Sequence, residues 1–346
     1  MEERIAGLKE KLKAFIVDES GRDVTVEEVR PLAGGASRET WAVTAEVGEE
    51  RLALALRLDK ASTMNPEAIS RAEEFELLRA AYEAGVTCPR PYWLCTDPAV
   101  LGAPFFLMEY VAGESIGPRV VRRPELAGAR DALPEQMATE LARIHALDPA
   151  MPDLAFLPRP VDGVSPAQHT VDNLRGSLAK LGVHSPGLSA GLRWLEQNQP
   201  PAGDLYVLHG DFRVGNLIVD EEGLAAVIDW EFAHLGDPVE DVAWPLVRDW
   251  RFGNDEKRLG GVGDAGPYLA AYEEKAGREV DQSAVTYWEI MGNMKWAVTC
   301  LVQAERHLSG ADPSVELASL GRRSAEMEME LLNLIAEEGE TGVTSL

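Results

Sequence analysis

Two neighbouring segments, LHGDFRVGNLIVD and LAAVIDWE, constrain the fold of this chain more than any other part of its sequence. The run LYVL, which leads into them, predicts a strand that ends in a loop, and NLIVD, EEG and LAAVID predict a strand, a tight turn and an antiparallel partner strand. Asn216 begins the first strand of this hairpin and Asp229 ends the second. Pairing therefore places both side chains at the same end of the hairpin, next to Asp211 in the preceding loop.

Asp211, Asn216 and Asp229 would bring carboxylate and amide oxygens together. Such oxygens suit a hard cation such as Mg²⁺, which takes a few protein oxygens and completes its shell with water and phosphate. Asp211 also suits another role, because a carboxylate in this loop could accept the proton of an incoming hydroxyl as a general base. The residues alone leave both roles of Asp211 open.

The first 111 residues predict a small lobe built from an antiparallel sheet and a helix. An amphipathic N-terminal helix is followed by a stretch in which β-prone runs alternate with turn residues, the pattern of a three-stranded meander. The segment NPEAISRAEEFELLRAAYEAG predicts a helix with Asn65 as N-cap, Pro66 at the first helical position and Gly85 as its stop. Two further strands follow, and we place a lobe boundary near Ala112.

Residues 112–346 predict a mainly helical lobe that contains the hairpin. Apolar positions at helical spacing predict helices over Glu135–Leu147, Pro186–Gln197, Asp281–His307 and Ser314–Glu337. The most apolar long segment, 284–302, carries Glu289, Asn293 and Lys295, and charges at the middle of a membrane span are costly. A buried helix, with no membrane as partner, is therefore the better interpretation.

Composition limits the partners and the compartment. Lysine and arginine total 33 against 58 aspartates and glutamates, a net charge of −25, whereas binding to a nucleic-acid backbone needs clustered cations. Three cysteines without C-x-x-C spacing or a secretory context predict free buried thiols in a reducing compartment. We therefore expect a cytoplasmic monomer or homodimer that binds no nucleic acid.

The stretch HGDFRVGN followed by VIDWE resembles the signature of aminoglycoside phosphotransferases and their choline-kinase-like relatives, which share the protein-kinase-like fold. The spacing from Asp211 to Asn216 equals that of the kinase loop H-R-D-x-x-x-x-N, and Asp229 falls where the D-F-G aspartate would. The resemblance implies an α+β, two-lobed fold, with residues 1–111 as the nucleotide-binding lobe and 112–346 as the helical catalytic and substrate-binding lobe. It also implies Asp211 as the catalytic base, and Asn216 and Asp229 as Mg²⁺ ligands.

The turn LAGGASRET lies where this family has the loop that covers the nucleotide. In isolation its glycines would mark an ordinary hairpin turn. Placed before the third strand, the turn resembles the nucleotide-covering loop, whose backbone N–H groups can approach phosphates. The positions concerned are Gly34, Gly35, Ala36 and Ser37.

Arg57, in the third strand, stands where the family usually has a phosphate-binding lysine. An arginine can still pair with phosphate and with a helix carboxylate, although a planar fork is not a point charge. The register of EEFELLRAA indicates Glu74 as that carboxylate, with Glu73 as the alternative and an exposed, unpaired carboxylate as a further interpretation. The segment LMEYV resembles the hinge between the lobes, which implies that the Glu109 C=O and the Val111 N–H face the purine of ATP or GTP.

The segment GDPVEDVAW resembles the one that follows the metal-binding aspartate in this family. The resemblance implies that Asp241 braces the catalytic loop through backbone N–H groups. Asp237 precedes Pro238, an arrangement that predicts a helix N-cap. We interpret His209 as a hydrogen-bonded histidine that braces the loop rather than as an acid or base.

These features predict a small-molecule O-phosphotransferase that uses Mg²⁺ to transfer the γ-phosphoryl group of ATP or GTP to a substrate hydroxyl. Two departures from protein kinases favour it: Gly210 replaces the arginine of H-R-D, and the short segment after Asp229 leaves no room for an activation loop. The alternative is a catalytically weak or inactive kinase-like nucleotide-binding protein, suggested by Arg57 and the irregular glycine loop. The presence of Asp211 and Asn216 together with Asp229 argues against that alternative.

The sequence is compatible with either a cationic or an anionic acceptor. The negative net charge suits a polycationic aminoglycoside, but it is equally a solubility feature. Arg119, Arg122, Arg123 and Arg130 lie close together in the sequence and could meet an anionic substrate. A solvated basic segment that pairs with neighbouring acids is the alternative.

Overall fold

The computed structural model describes residues 2–32, 38–59 and 68–344. Before residue 110 the described chain forms an antiparallel sheet, flanked by helices, with the strand order β1-β2-β3-β5-β4. The elements in chain order are α1 (Glu2–Ser20), β1 (Val24–Pro31), β2 (Arg38–Val47), β3 (Glu50–Asp59), α2 (Arg71–Glu83), β4 (Pro91–Cys95), α3 (Pro98–Leu101) and β5 (Phe105–Glu109). The predicted sheet and helix are confirmed.

Strand β3 separates two apolar cores, because successive side chains of a strand point to opposite faces. Leu56 belongs to the core under α1, where the ring centroids of Phe15 and Phe105 lie 4.9 Å apart. Ala55 belongs to the other core, which the sheet shares with α2 and the helical part of the chain. The alternation places Arg57 on this second face, toward α2.

Helix α2 begins later than the sequence predicted. Its N-cap is Ser70, whose hydroxyl accepts a hydrogen bond from the Glu73 N–H (3.3 Å), while the Glu73 carboxylate accepts one from the Ser70 N–H (2.7 Å). This capping box satisfies two N–H groups that the first turn of a helix leaves without partners. The predicted cap and first residue, Asn65 and Pro66, lie outside the described residues.

From Gly117 onward the described chain is mainly helical. Its helices and strands are α4 (Gly117–Arg122), α5 (Ala127–Ile144), α6 (Pro166–Leu181), α7 (Pro186–Gln197), β6 (Tyr206–Leu208), β7 (Leu217–Asp220), β8 (Gly223–Val227), β9 (His234–Gly236), α8 (Pro238–Ala243), α9 (Ala265–Ala276), α10 (Gln282–Leu308), α11 (Val315–Leu320) and α12 (Arg323–Thr344). The strands β7 and β8 form the predicted hairpin, and β6 pairs with β9. Helix α10 packs against α6, α7, α8 and α12 and forms the centre of this part.

Some helix boundaries differ from those that the sequence predicted. Helix α5 begins at Ala127 rather than Glu135, and the helix predicted over 314–337 is divided into α11 and α12. Ser314 caps α11, because its side chain accepts a hydrogen bond from Leu317 N–H. Helix α7 has the predicted bounds. None of the described helices is long and apolar enough to cross a membrane.

Candidate active site

The hairpin of β7 and β8 brings the two predicted metal ligands to one end. Beyond the pair Leu217–Val227, the Ile228 N–H donates to the Asn216 C=O at 3.0 Å. Asn216 therefore lies opposite Ile228, and Asp229 follows directly at the same end of the hairpin. Asp229 has a φ of 69°, a left-handed conformation that is uncommon for residues other than glycine and that concentrates at functional sites.

Three N–H donors hold the carboxylate of Asp211. Asn216 Nδ2 donates to Oδ2 at 2.6 Å, while Trp244 Nε1 (2.7 Å) and Arg213 Nε (3.0 Å) donate to Oδ1. Hydrogen bonds to a carboxylate are stronger than those between neutral groups, so these contacts set the orientation of the side chain. The sequence placed Asp211 beside Asn216, but it did not single out Arg213 or Trp244 as partners of the carboxylate.

The loop that carries Asp211 is held by Asp241, which lies in helix α8. Asp241 Oδ2 accepts from the His209 N–H (2.6 Å) and Oδ1 from the Gly210 N–H (2.9 Å). Burial alone would raise the pKa of Asp241, but His145 and the hydrogen bonds lower it overall, so the carboxylate is ionised. Gly210 has a φ of 78°, and a Cβ there would lie 2.1 Å from the Phe232 C=O, so a larger residue such as the arginine of H-R-D does not fit.

His209 connects this loop to the hairpin. Its Nδ1 accepts from the Asp211 N–H (3.2 Å), so Nε2 carries the proton that is donated to the Ile228 C=O (3.0 Å). Burial lowers the pKa of His209, which keeps the ring neutral. This residue has the loop-bracing contacts expected of it, and Asp237 caps α8 through the Val239 N–H (2.9 Å).

The side chain of Arg57, on β3, extends from the sheet to α2 and the hairpin. Its Nη2 is 3.0 Å from Glu74 Oε1 and 2.6 Å from Asp229 Oδ1. Burial alone would lower the pKa of Arg57, but Glu74 and Asp229 raise it, and the guanidinium stays charged. The structure thus brings Arg57 to Glu74 rather than to Glu73, which is used in the capping box.

Arg71 extends this pair into a chain of charges that sequence reasoning missed. Arg71 Nη1 binds Glu74 Oε2, and Arg71 Nε lies 2.7 Å from Asp59 Oδ1. Arg71 and Glu74 are both buried, where an unpaired charge would be costly. The order Asp59–Arg71–Glu74–Arg57–Asp229 therefore ties the end of β3 to the first turns of α2 and to the hairpin.

The remaining predicted nucleotide contacts are described only in part. Gly34, Gly35, Ala36 and Ser37 lie outside the described residues. Glu109 ends β5, and Val111 follows in the connection to α4. That connection is anchored to the hairpin by Glu114, which exchanges two backbone hydrogen bonds with Val219 (2.8 and 3.0 Å). The roles of Glu109 and Val111 toward a purine stay predictions.

The donor set at the hairpin suits Mg²⁺. Within the described ranges, no group of three or more histidine, cysteine, aspartate or glutamate side chains is gathered for a metal ion. Asn216 and Asp229 provide an amide and a carboxylate at one end of the hairpin, and Mg²⁺ in nucleotide sites needs few protein ligands because phosphates and water complete its shell. The carboxylate of Asp229 already bonds Arg57, so a cation would share or replace that contact.

The basic segment of residues 119–130, which ends in the first turn of α5, is engaged by neighbouring groups. Arg119 and Arg123 lie 3.7 and 3.1 Å from the carboxylate of Glu114. Arg122 and Arg130 donate to backbone carbonyl oxygens. These contacts favour the interpretation of a basic segment that pairs with its surroundings.

The fold is shared with solved phosphotransferases. A chain from Ralstonia eutropha JMP134 that is assigned as an aminoglycoside phosphotransferase has a TM-score of 0.75 at 22% identity, over 95% of this chain and 98% of its own. Macrolide 2′-phosphotransferase MphH from Brachybacterium faecium has a TM-score of 0.61 at 17% identity, over 90% and 97% of the two chains. At these identities the likeness concerns the fold, and the expected protein-kinase-like α+β fold is confirmed.

Sequence comparison finds two relatives that are named as acyl-CoA dehydrogenase family members, and it also identifies the family of this chain. Acyl-CoA dehydrogenase family member 10 of Mus musculus is 32% identical over 200 residues, which are 56% of this chain and 18% of that protein. Acyl-CoA dehydrogenase family member 11 of Gallus gallus is 31% identical over 197 residues, 56% of this chain and 25% of that protein. The chain thus spans a quarter or less of the length of these two relatives. Residues 28–277 match the phosphotransferase enzyme family, and the chain belongs to that family.

Proposed function

We propose that this chain transfers the γ-phosphoryl group of ATP or GTP to a hydroxyl of a small molecule, with Asp211 as the general base. The observation that carries the proposal is the set of three N–H donors around the Asp211 carboxylate, next to the end of the hairpin that holds Asn216 and Asp229. A base that has to meet an incoming hydroxyl must be held in one orientation before the substrate arrives. Family membership supports the reaction class.

In this mechanism Asp211 accepts the proton of the acceptor hydroxyl as the oxygen attacks phosphorus. Trp244 and Asn216 hold the two carboxylate oxygens in place, at 2.7 and 2.6 Å. Asp241 holds the backbone on the N-terminal side of the base, so the loop keeps its shape while the proton moves. Most of the catalytic effect in phosphoryl transfer comes from such positioning and from electrostatic stabilisation.

The nucleotide side would be formed by both parts of the chain. Asn216 and Asp229 would hold Mg²⁺, which supplies positive charge against the phosphate oxygens when bound. Arg57, held by Glu74 at 3.0 Å, would contribute a second positive charge near the same phosphates. The Glu109 C=O and the Val111 N–H would contact the purine, and residues 34–37 would cover the phosphates.

The alternative is a nucleotide-binding protein that has lost catalysis. The ion pair between Arg57 and Asp229 favours this alternative, because it occupies the proposed metal ligand. The contacts of Asp211 favour the enzyme, because an inactive protein has no need of a base held by three donors. We consider the enzyme the better interpretation.

The state of the cysteine side chains supports a proposal about the cellular compartment of the chain. Cys88, Cys95 and Cys300 are all free and buried. Burial raises the pKa of the Cys88 and Cys300 thiols to about 12, so these thiols are protonated and unreactive. These properties support a reducing compartment such as the cytoplasm.

The test is a phosphoryl-transfer assay on the purified chain with Mg²⁺ and either ATP or GTP. The acceptor panel includes aminoglycosides and macrolides, which the names of the structural neighbours suggest, and hydroxyacyl-CoA compounds, because the curated relatives carry acyl-CoA in their names. ³¹P NMR identifies a new phosphate ester. Saturable nucleotide binding with no ester from any hydroxyl compound would favour the inactive alternative.

A further inference from the structure

Arg213 lies two residues after Asp211 and is built into the same loop. Its Nε donates to Asp211 Oδ1 at 3.0 Å, and its guanidinium carbon lies 4.4 Å from the centroid of the Trp250 ring. Stacking on an aromatic face is a geometry that suits arginine rather than lysine. Gly215 makes room for this group, because a Cβ at that position would lie 2.2 Å from Arg213 Nη1.

The two terminal nitrogens of Arg213 are available for a ligand. Among the described residues, Asp211 is the one carboxylate within ion-pair distance of Arg213, and it is reached through Nε. The side chain keeps 22% of its surface exposed. A guanidinium that lies over an aromatic ring and is bonded through Nε can bind a carboxylate or phosphate through its Nη groups.

A second cationic side chain, Lys295, lies near the indole that donates to Asp211. Lys295 Nζ lies 5.2 Å from the ring of Trp244, the residue that donates to Asp211. Of the carboxylates near these rings, Glu240 pairs with Lys295 at 3.2 Å, and Asp249 binds Trp296 Nε1 at 2.6 Å as well as an arginine of α12. Glu240 and Asp249 are therefore already engaged with groups of the chain, which makes these two carboxylates poor partners for a polycationic acceptor.

We propose that Arg213 binds an anionic group of the acceptor, so that the substrate is a hydroxyl compound with a carboxylate or phosphate near the hydroxyl. Arg213 is then a specificity-determining residue, and it orients the hydroxyl toward Asp211. The proposal rests on the proposed function, because it assigns the substrate class of that same site. The γ-phosphoryl group of the nucleotide has the same chemistry, and the experiment separates the two sources.

The experiment compares matched acceptors that differ in one anionic group. The pairs are 3-hydroxybutanoate with 1,3-butanediol, and glycerol 3-phosphate with glycerol. The variants are Arg213→Gln and Arg213→Lys, and the matched control is Arg175→Gln, a surface arginine of α6 that pairs with Asp172 and Glu196. Transfer to each acceptor is measured as kcat/KM, together with nucleotide hydrolysis in the absence of acceptor.

We expect the wild-type chain to prefer the anionic member of at least one pair. Arg213→Gln should lower kcat/KM for that compound about 10- to 100-fold more than for its neutral partner, mostly through KM, whereas both members should lose kcat to the same extent because the variant also removes a donor to Asp211. Arg213→Lys should fall between, because it keeps the charge and loses the fork. Arg175→Gln should behave like the wild type.

Three results would overturn the proposal or reassign Arg213. A wild-type preference for neutral or cationic acceptors excludes the substrate class. An equal loss on both members of each pair overturns the acceptor contact: an equal loss of acceptor-free hydrolysis then places Arg213 on the γ-phosphoryl group, and unchanged hydrolysis leaves it as a donor to Asp211 alone. If no compound is phosphorylated, the proposed function fails, and the thermal stability of the chain is measured with each compound in the absence of nucleotide. Stabilisation by the anionic compounds in the wild type but not in Arg213→Gln supports the binding role of Arg213. No stabilisation of the wild type overturns that role.

Discussion

Arg57 Nη2 lies 2.6 Å from Asp229 Oδ1, so the arginine that replaces the usual lysine binds the aspartate proposed as a metal ligand. The same nitrogen is 3.0 Å from Glu74 Oε1. One buried guanidinium group therefore pairs with two carboxylates, the buried Glu74 and the partly exposed Asp229, and an unpaired charge at Arg57 or Glu74 would be costly. If Asp229 binds Mg²⁺ as proposed, the metal and the position of Arg57 depend on each other.

Replacing Arg57 should have opposite effects on two ligands. In Arg57→Gln, Asp229 loses a competing cation, so Mg²⁺ alone should bind more tightly than to the wild type. Nucleotide affinity should fall about 10- to 100-fold, since a hydrogen bond between charged groups contributes roughly 1.5–3 kcal/mol. Calorimetric titrations with Mg²⁺ alone and with Mg²⁺-nucleotide measure both effects.

Arg57→Lys separates charge from shape at the same position. If a positive charge is the main requirement, this variant keeps partial transfer activity; if the guanidinium shape is needed to place one nitrogen between Glu74 and Asp229 and another toward the phosphates, activity falls to the level of Arg57→Gln. Unfolding midpoints of all variants exclude a folding defect. Unchanged nucleotide affinity in both variants would remove Arg57 from the nucleotide site.

Asp211→Asn should abolish most phosphoryl transfer and leave nucleotide binding intact. The amide is almost isosteric but cannot take the proton of the acceptor, and general-base catalysis typically contributes about 10²–10⁴-fold. The matched control is Asp220→Asn at the opposite end of the hairpin, where the carboxylate accepts from the Glu222 N–H at 2.8 Å. Wild-type turnover in Asp211→Asn would show that the base lies elsewhere.

The local part of this site could be predicted from the sequence. Asp211, Asn216 and Asp229 belong to one strand-loop-hairpin segment, and the pairing of two short strands is enough to bring their positions together. The start of α2 could also be predicted, since Ser70 followed by Glu73 is the pattern of a capping box. Proline at position 66 favours an earlier start, but the capping box of Ser70 and Glu73 marks the observed one.

The resemblance anticipated the non-local contacts of Glu74 and Asp241, but other non-local contacts of the site could not be predicted. Trp244 lies 33 positions after Asp211, and its contact depends on how α8 packs against the loop. The bond from Arg71 to Asp59 likewise depends on the packing of α2 against β3. Nothing in the residue types around Trp244 or Arg71 marks them as partners of particular carboxylates.

Trp244→Phe tests the orientation of the base. The variant keeps an aromatic ring beside Trp250, with which Trp244 packs at 5.4 Å, and removes the Nε1–H that Asp211 Oδ1 accepts. We expect kcat to fall about tenfold, the lower end of what a hydrogen bond to a charged group contributes, with little change in nucleotide affinity. Trp288→Phe is the control, because that indole donates to Asp237 instead. Equal kcat in Trp244→Phe and the wild type would show that the indole serves packing alone.

Two histidines should give the stability of the fold opposite pH dependences. Burial lowers the pKa of His209, so its stabilising contribution is complete above its usual value of 6.5 and is lost as the pH falls. Glu240 raises the pKa of His234 against the effect of burial, so the stabilising contribution of His234 is complete below pH 6.5 and is lost as the pH rises through the raised pKa.

The cost of His209→Gln in free energy of unfolding should therefore shrink toward pH 5, and the cost of His234→Gln should shrink toward pH 8. Denaturant titrations across that range measure both, and parallel curves for the two variants would contradict the assignment.

The last prediction concerns Asp229 and the metal. Asp229→Asn removes one negative charge but suits the backbone, because asparagine tolerates the left-handed conformation that Asp229 adopts at a φ of 69°. The variant should fold and should bind nucleotide with a weaker dependence on Mg²⁺, since a hard cation prefers a carboxylate to an amide. It should also weaken the hold on Arg57, because the amide Oδ1 can accept the same hydrogen bond but carries no negative charge, so nucleotide binding without Mg²⁺ should be maintained or improved. Asp229→Ala is the poorer test, because it combines the lost charge with backbone strain. Nucleotide titrations with and without Mg²⁺ decide the matter: the same metal dependence in Asp229→Asn and the wild type would show that Asp229 is not a ligand and that its ion pair with Arg57 is purely structural.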